Sequence, residues 1–132
     1  MNLISLGGSG ASRSIFHILK RSKEFKLIGF LDNRISKGDT IDGYKCLGNF
    51  SDSFSYKKLG YKFITGIGSA NTFQKKRTKI SSYNLENNDF IKLISNKSTI
   101  ETNEELIKAG SLIFDYVFLG YEVKVGFLSL IN

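Results

Sequence analysis

The sequence predicts an α/β fold: a small parallel sheet with flanking helices, followed by the first coils of a hexapeptide β-helix. Three observations predict it. Short apolar runs alternate with helical patterns, a glycine turn separates the first run from the first helix, and aliphatic residues recur at six-residue intervals near the end. The expected domains are residues 1–94, which carry the sheet, and residues 95–132, the truncated start of the coil.

The first unit reads as strand, glycine turn, helix and strand. Residues 3–6 form a short apolar run, and the turn G-G-S-G follows at 7–10. A helical pattern then carries apolar side chains at Ile15, Phe16, Ile18 and Leu19. A second strand covers 26–31 and ends at Asp32. This order is typical of a Rossmann-like domain, in which a phosphate binds at the N-terminus of the first helix.

Later segments continue the alternation of strands and helices. Residues 34–49 are predicted as turns, 51–59 as a short helix, 61–67 as a third strand and 90–94 as a fourth. A helix is predicted to start near Asn71. It carries the densest group of cations, Lys75, Lys76, Arg77 and Lys79. Alternating strands and helices indicate a parallel sheet whose faces are covered by helices.

The six-residue period defines the C-terminal segment. The recurring aliphatics are Ile107, Ile113, Leu119, Val125 and Ile131. A second register of small or β-branched residues accompanies them at Ser111, Val117, Val123 and Ser129. This period fits neither an amphipathic helix nor a simple alternating strand. It predicts a three-sided coil in which each short strand points one aliphatic side chain inward, with room for roughly two coils.

Composition and charge limit the function classes. The chain has 132 residues, 41% of them hydrophobic, and a net charge of +7. This charge suits an anionic partner, but no nucleic-acid-binding motif accompanies it, so nucleic acid is disfavoured and a polyphosphate ligand stays open. A basic group such as that on the third predicted helix is most often a solvated helix face. One cysteine and one histidine exclude a disulfide within the chain and a Cys/His zinc site. No apolar run is long enough to span a membrane, and we expect a cytoplasmic protein. We also expect no metal site.

Each candidate site residue also has a structural interpretation. The turn at 7–10 departs from the dinucleotide pattern G-x-G-x-x-G, so it either cradles a phosphate or is an ordinary turn. Asp32 either accepts hydrogen bonds from a ribose or caps the bend that follows its strand. His17 and Cys46 lack partners that would make a catalytic motif, so we interpret both as structural residues.

Six features in order carry a resemblance: L-G-G-S-G-A-S-R at 6–13, I-G-F-L-D-N at 28–33, I-x-G-x-x-x-L-G at 41–48, F-I-T-G-I-G at 63–68, Arg77, and hexapeptides from Leu106. They resemble the bacterial nucleotide-sugar acetyltransferases of surface-glycan (polysaccharide) biosynthesis, of the sialic-acid O-acetyltransferase and bacillosamine N-acetyltransferase type. That family joins a small Rossmann-like domain to a left-handed β-helix. The chain departs from it at Ser12, usually glycine in the family, and at Ala11, often histidine.

The resemblance implies a site and a reaction. A UDP-sugar would bind at Gly8, Ser9, Gly10, Ala11, Asp32, Asn33, Ile67 and Gly68. The acetyl donor would be acetyl-CoA, bound between neighbouring β-helices of a homotrimer. The family's catalytic histidine lies on a coil beyond Asn132, so no catalytic residue is expected in this chain. Alone, the chain is expected to be inactive.

Two other function classes stay open. The glycine turn and Asp32 also suit an NAD- or CoA-binding regulatory domain of Rossmann type, although such a domain has no use for a β-helix. A non-catalytic oligomerisation module would use the coil only for assembly. Binding of a UDP-sugar rather than NAD separates the first of these from the acetyltransferase reading. The sugar and the acceptor, an amine or a hydroxyl, are also left open.

Overall fold

A five-stranded sheet forms the first part of the protein. The structure, a computed structural model, describes residues 1–67 and 75–132. The strands are β1 (Asn2–Leu6), β2 (Lys26–Leu31), β3 (Thr40–Ile41), β4 (Tyr44–Gly48) and β5 (Lys62–Thr65). Their order in the sheet is β3-β4-β2-β1-β5, and only β3 runs antiparallel to its neighbour. The predicted parallel sheet is confirmed.

Within the described residues, three helices accompany the sheet: α1 (Ala11–Lys20), α2 (Ser53–Lys58) and α3 (Lys76–Ser82). Short 3₁₀ turns occur at Phe50–Asp52, Asn87–Asp89 and Glu104–Leu106. The helix expected between 51 and 59 is confirmed: the 3₁₀ turn Phe50–Asp52 leads directly into α2. In the basic segment, the described helix begins at Lys76, and Asn71 lies outside the described residues. None of the described helices is long and apolar enough to cross a membrane.

The segment 34–49 was predicted as turns, and this prediction is wrong. It contains β3 and β4, joined by a two-residue hairpin turn at Asp42 and Gly43, whose φ angles are +51° and +87°. Positive φ at both positions is the type I′ geometry, for which Asp-Gly is a preferred sequence. The Asp-Gly pair between two β-favouring dipeptides was the signal that could have predicted this hairpin.

The strand predicted at 90–94 is divided between two sheets. Phe90 forms a single bridge to Phe63 of β5, whereas β6 (Leu93–Ile94) pairs with β8 (Leu112–Ile113) further along the chain. The coil strands therefore begin two residues before residue 95. The division into domains at 94 and 95 stays a prediction.

The C-terminal segment is a three-sided coil of short parallel strands. The remaining strands are β7 (Thr99–Ile100), β9 (Phe118–Leu119) and β10 (Leu130–Ile131). One side stacks β6, β8 and β10, the second stacks β7 and β9, and the third is a bridge between Ile107 and Val125. Leu93 stacks on Leu112, 19 residues later in the sequence, and Leu112 stacks on Leu130, 18 residues later.

The six-residue period is the inner register of this coil. Four of its aliphatics are buried in one cluster, against which the last is packed: Ile107, Ile113, Leu119, Val125 and Ile131. Ile94 and Ile100 join the same cluster, outside the predicted period. The 3₁₀ turn Glu104–Leu106 adds one residue between Ile100 and Ile107, which breaks the period in the sequence but not the inward register.

The corners of the coil also repeat every six residues. The four corner residues have left-handed φ angles between +57° and +76°: Gly110, Tyr116, Glu122 and Leu128. This conformation costs an L-residue other than glycine roughly 1–2 kcal/mol. Of these corners, Leu128 is buried in a cluster with residues of the sheet, so packing there opposes the strain of its backbone.

The coil packs against the rest of the protein through two shared apolar cores. Leu93 and Leu112 lie in one buried cluster with Phe16 of α1 and Phe30 of β2. A second cluster joins coil residues to the other strands and to α3: its buried members are Ile4, Leu6, Leu31, Phe50, Phe63, Ile80, Leu85, Phe90 and Leu128. Both cores of the sheet thus include coil residues.

An ion pair connects the end of α1 to a coil corner. Arg21 donates two hydrogen bonds to the Asp115 carboxylate, at 2.7 and 3.1 Å, and the Ser95 hydroxyl donates a third. These donors, Arg21 first, lower the pKa of Asp115 to about 2. The carboxylate thus stays charged down to strongly acidic pH.

We predict that this ion pair makes stability dependent on pH at the acidic end. Because the pKa of Asp115 is lower in the folded than in the unfolded chain, its stabilisation is present above about pH 4 and is lost as the pH falls through about 2. Asp115→Asn should therefore be less stable than wild type at pH 7 and equal to it near pH 2, measured by urea unfolding.

Arg21→Met tests the same ion pair from the other side, since it removes the partner of Asp115. Because the two side chains stabilise the fold as a pair, the double variant should lose less stability at pH 7 than the sum of the two single losses. An Asp115→Asn difference that is the same at pH 2 and pH 7 would contradict the assignment.

Candidate functional site

The glycine turn offers backbone donors at one edge of the sheet. Residues 7–10 join the carboxyl end of β1 to the N-terminus of α1. The Gly7 amide donates to the Leu31 carbonyl at 2.8 Å, which holds the turn to β2. The amides of Ser9, Gly10 and Ala11 make no hydrogen bond to any residue in 1–67 or 75–132. Three N–H groups at a helix N-terminus are a favourable environment for an anion.

Gly10 has a backbone conformation that only glycine adopts readily. Its φ and ψ angles are +59° and −128°, and a β-carbon there would meet nothing within 4 Å. Ser9 and Gly10 are both exposed, so a ligand can approach the turn without displacing a side chain. Conformation rather than crowding therefore requires glycine at this position.

Gly66 allows the end of β5 to approach the start of α1. A β-carbon at Gly66 would lie 2.9 Å from the Ser12 nitrogen and 3.1 Å from the Ala11 carbonyl carbon. In the dinucleotide pattern, the third glycine permits this close approach of helix and strand. Here Ser12 lies buried on the helix and the glycine is on the strand side instead. The sequence by itself does not reveal this role of Gly66, because the contact joins distant parts of the chain.

Asp32 holds the glycine turn through its carboxylate. One oxygen accepts from the Gly8 amide at 3.1 Å, and the other accepts from the Arg34 amide at 2.9 Å. Only 4% of the residue is exposed. Asp32 therefore caps the bend that follows its strand, and it also fixes the Gly8 amide. A direct contact between Asp32 and a ribose stays a prediction.

The remaining predicted site residues lie around this turn. Asn33 is exposed, and its side-chain oxygen accepts from the Phe50 amide at 2.9 Å, which connects the edge to the segment after β4. Ile67 is half-buried, and its side chain reaches within 4.0 Å of the β-carbon position of Gly7. Gly68 lies outside the described residues. The structure thus brings Gly8, Asp32 and Ile67 to the same end of β1, beside the open amides.

Several cations lie near this edge. Arg13, in the first turn of α1, donates two hydrogen bonds of 3.1 Å to Asp42 and holds the pKa of that carboxyl below its usual range. The Lys79 amine lies 5.2 Å from the centre of the Phe50 ring. In the basic group, Lys75, Arg77 and Lys79 are exposed as a solvated face predicts, but Lys76 is buried.

His17 and Cys46 show no catalytic arrangement. His17 is exposed in the middle of α1. Cys46 is 1% exposed, and its thiol donates to the carbonyls of Ile35 and Gly48 at 3.3 and 3.4 Å. Within residues 1–67 and 75–132, no group of three His, Cys, Asp or Glu side chains could hold a metal ion.

Comparison with known families agrees with this geometry. The model of the PglD N-terminal domain family matches residues 2–83, which include the glycine turn and all five strands of the sheet. The chain belongs to this family. The match confirms the resemblance noted from the sequence. No match was found among curated protein sequences.

Solved structures support the same fold over more of the chain. The acetyltransferase domain of PglB from Neisseria gonorrhoeae FA1090, in complex with acetyl coenzyme A, matches with a TM-score of 0.75 and 15% identity. The match covers 99% of this chain and 61% of that one. A second structure of the same PglB domain matches with a TM-score of 0.62 and 16% identity, over 86% and 53% of the two chains. The chain therefore spans less than two thirds of either structure, and the likeness shows the fold.

We predict that the Asp32 carboxylate is needed to hold the turn. Asp32→Asn keeps the size of the side chain but leaves only one oxygen for two backbone donors, so one buried N–H loses its acceptor. The free energy of unfolding should fall by about 1–3 kcal/mol. Urea unfolding measures it, with the exposed Asp39→Asn as the matched control, which should lose less than about 0.5 kcal/mol. Equal losses in both variants would contradict the role of Asp32.

Proposed function

We propose that this chain is the nucleotide-sugar-binding part of an acetyl-CoA-dependent sugar acetyltransferase of surface-glycan biosynthesis. One observation carries the proposal: the amides of Ser9, Gly10 and Ala11, which make no hydrogen bond within residues 1–67 and 75–132, stand at the N-terminus of the ten-residue helix α1. Backbone donors at such a position favour the phosphates of a nucleotide. Membership of the PglD N-terminal domain family supports the same class of ligand.

In this proposal, a UDP-sugar lies along the carboxyl edge of the sheet. Its phosphates accept hydrogen bonds from the open amides of residues 9–11. Its uridine lies toward Asn33, beside the end of β2, and Ile67 closes the pocket on the β5 side. Asp32 acts mainly through Gly8, since both of its oxygens already accept backbone hydrogen bonds. The net charge of +7 favours the approach of a diphosphate.

The acetyl-transfer chemistry is assigned to the complete enzyme. Acetyl-CoA supplies an activated acyl group as a thioester, and a general base removes a proton from the attacking amine or hydroxyl. Similarity of fold to an acetyl-CoA-bound PglB domain supports this donor. We assign neither an acetyl-CoA contact nor a base to the residues of this chain, which alone should bind the acceptor without transferring acetyl groups. A cytoplasmic location is part of the same proposal.

The geometry of Asp32 argues against the regulatory alternative. A Rossmann-type NAD site uses an acidic side chain at the end of the second strand to bind the ribose hydroxyls. In this chain, that carboxylate is 4% exposed and accepts two backbone hydrogen bonds. A ribose would therefore meet a carboxylate that is almost fully buried and already holds the glycine turn.

Exposed aromatics on the coil favour self-association as a second function. Tyr116, Phe118 and Tyr121 are 83%, 63% and 79% exposed, and they lie within six residues on β9 and the segments next to it. Exposed apolar side chains grouped in this way are typical of an interaction surface. We propose that copies of the chain associate through this surface, as a homotrimer in the complete enzyme.

We predict that the Gly10 position decides nucleotide binding. In Gly10→Ala, the left-handed backbone is strained and a methyl group enters the open space of the turn, so the affinity for UDP-N-acetylglucosamine should fall at least tenfold by calorimetry. Gly60→Ala is the matched control, because Gly60 also has a positive φ (+89°) with nothing within 4 Å, at the end of α2. It should keep the wild-type affinity. Tighter binding of NAD than of the UDP-sugar would refute the proposal.

We predict that Phe118 contributes to self-association. Phe118→Ser removes a 63% exposed ring from the aromatic group, so association should weaken. In sedimentation equilibrium, the variant should dissociate at a higher protein concentration than wild type. Leu59→Ser is the matched control, because Leu59 is 74% exposed but lies at the end of α2, outside the coil. It should behave as wild type. A wild-type protein that stays monomeric at millimolar concentration would disprove the surface.

A further inference from the structure

Lys76 is a buried lysine whose amine bonds to the coil. Only 6% of the residue is exposed, and its Nζ donates to the Leu128 carbonyl at 2.9 Å. No carboxylate of the described residues forms an ion pair with it. Burial lowers the pKa of Lys76 to about 8, so most of the amine is charged at pH 7. A charged donor makes this hydrogen bond stronger than a neutral one would be.

The acceptor of this bond is a strained corner of the coil. Leu128 has a φ of +57°, which is unfavourable for a leucine. Its amide donates to the Ala109 carbonyl at 3.0 Å, and its side chain is 6% exposed in the core shared with the sheet. The surroundings must hold such a backbone in place. Lys76 is the side chain that holds its carbonyl.

Lys76 stands on the helix that also packs against the candidate nucleotide edge. One turn later, Ile80 is buried in the same cluster as Leu31 and Phe50. The Lys79 amine lies 5.2 Å from the Phe50 ring centre, and the Phe50 amide donates to the Asn33 side chain. A continuous series of contacts therefore runs from Asn33 through α3 to Leu128.

We propose that Lys76 is a positioning residue that couples the candidate nucleotide edge to the coil by seating α3 against the Leu128 corner. With α3 seated, both the corner at Leu128 and the contact between Phe50 and Asn33 are ordered. Because energetic coupling is reciprocal, a ligand that orders the edge also orders the corner. This ligand effect rests on the proposed function, whereas the coupling in the free protein does not.

Amide hydrogen exchange of the free protein tests the coupling. Lys76→Met keeps the length of the side chain but removes the donor, so the amides of Leu128 and Phe50 should both exchange about tenfold faster. Lys92→Met is the matched control, because the Lys92 amine also donates to a carbonyl of the coil segment, that of Glu104 at 3.1 Å, but from an exposed position before β6. It should change neither amide.

Lys76→Arg keeps a charged donor and should restore much of the protection at both amides. This variant separates loss of the hydrogen bond from a change in packing at the buried site. Exchange at Leu128 or at Phe50 that stays within twofold of wild type in Lys76→Met would overturn the coupling. So would an equal acceleration in Lys92→Met.

Addition of UDP tests the ligand effect. In wild type, UDP should slow exchange at Gly10, in the turn, and also at Leu128. In Lys76→Met it should slow exchange at Gly10 alone. Slowing at Leu128 that is the same in both proteins would overturn the role of Lys76. If UDP slows no amide of the wild type, the proposed function fails, and the comparison of the free proteins still decides the coupling.

Discussion

Apolar packing of the coil against the sheet is the interaction on which the rest of the structure depends. Leu112 is fully buried beside Phe16 and Phe30, and Leu128 is buried with Leu31 on the other core. Contact with the sheet buries these two coil residues, and it places the strained corner at Leu128 in a core shared with the sheet.

The same packing determines the character of the candidate site. Because both faces of the sheet are covered, the carboxyl edge is the part of the sheet that a ligand can reach. There the glycine turn presents backbone amides. Asp32 contributes by holding Gly8, and Arg13 is already paired with Asp42. In the proposed function, recognition of an anion depends on backbone geometry and on the helix dipole more than on charged side chains.

Much of the site could be predicted from the sequence, because its core is local. The turn at 7–10 and the strand that ends at Asp32 follow from glycine spacing and apolar runs. The close approach of Gly66 to α1 and the burial of Lys76 could not be predicted in the same way. Both depend on contacts between segments that are far apart in the chain, and the local patterns around Gly66 and Lys76 are those of a loop and a solvated helix.

The sequence by itself determined the α/β class, the glycine turn between β1 and α1 and the six-residue inner register of the coil, because backbone periodicity and glycine geometry are properties of neighbouring residues. The tertiary structure decided where the coil begins, since Leu93 pairs with Leu112 although it follows the Phe90 bridge to β5 directly. It also decided which lysine of the basic group is buried. Partners and burial are set by distant residues that share one apolar core, and a local pattern carries no information about them.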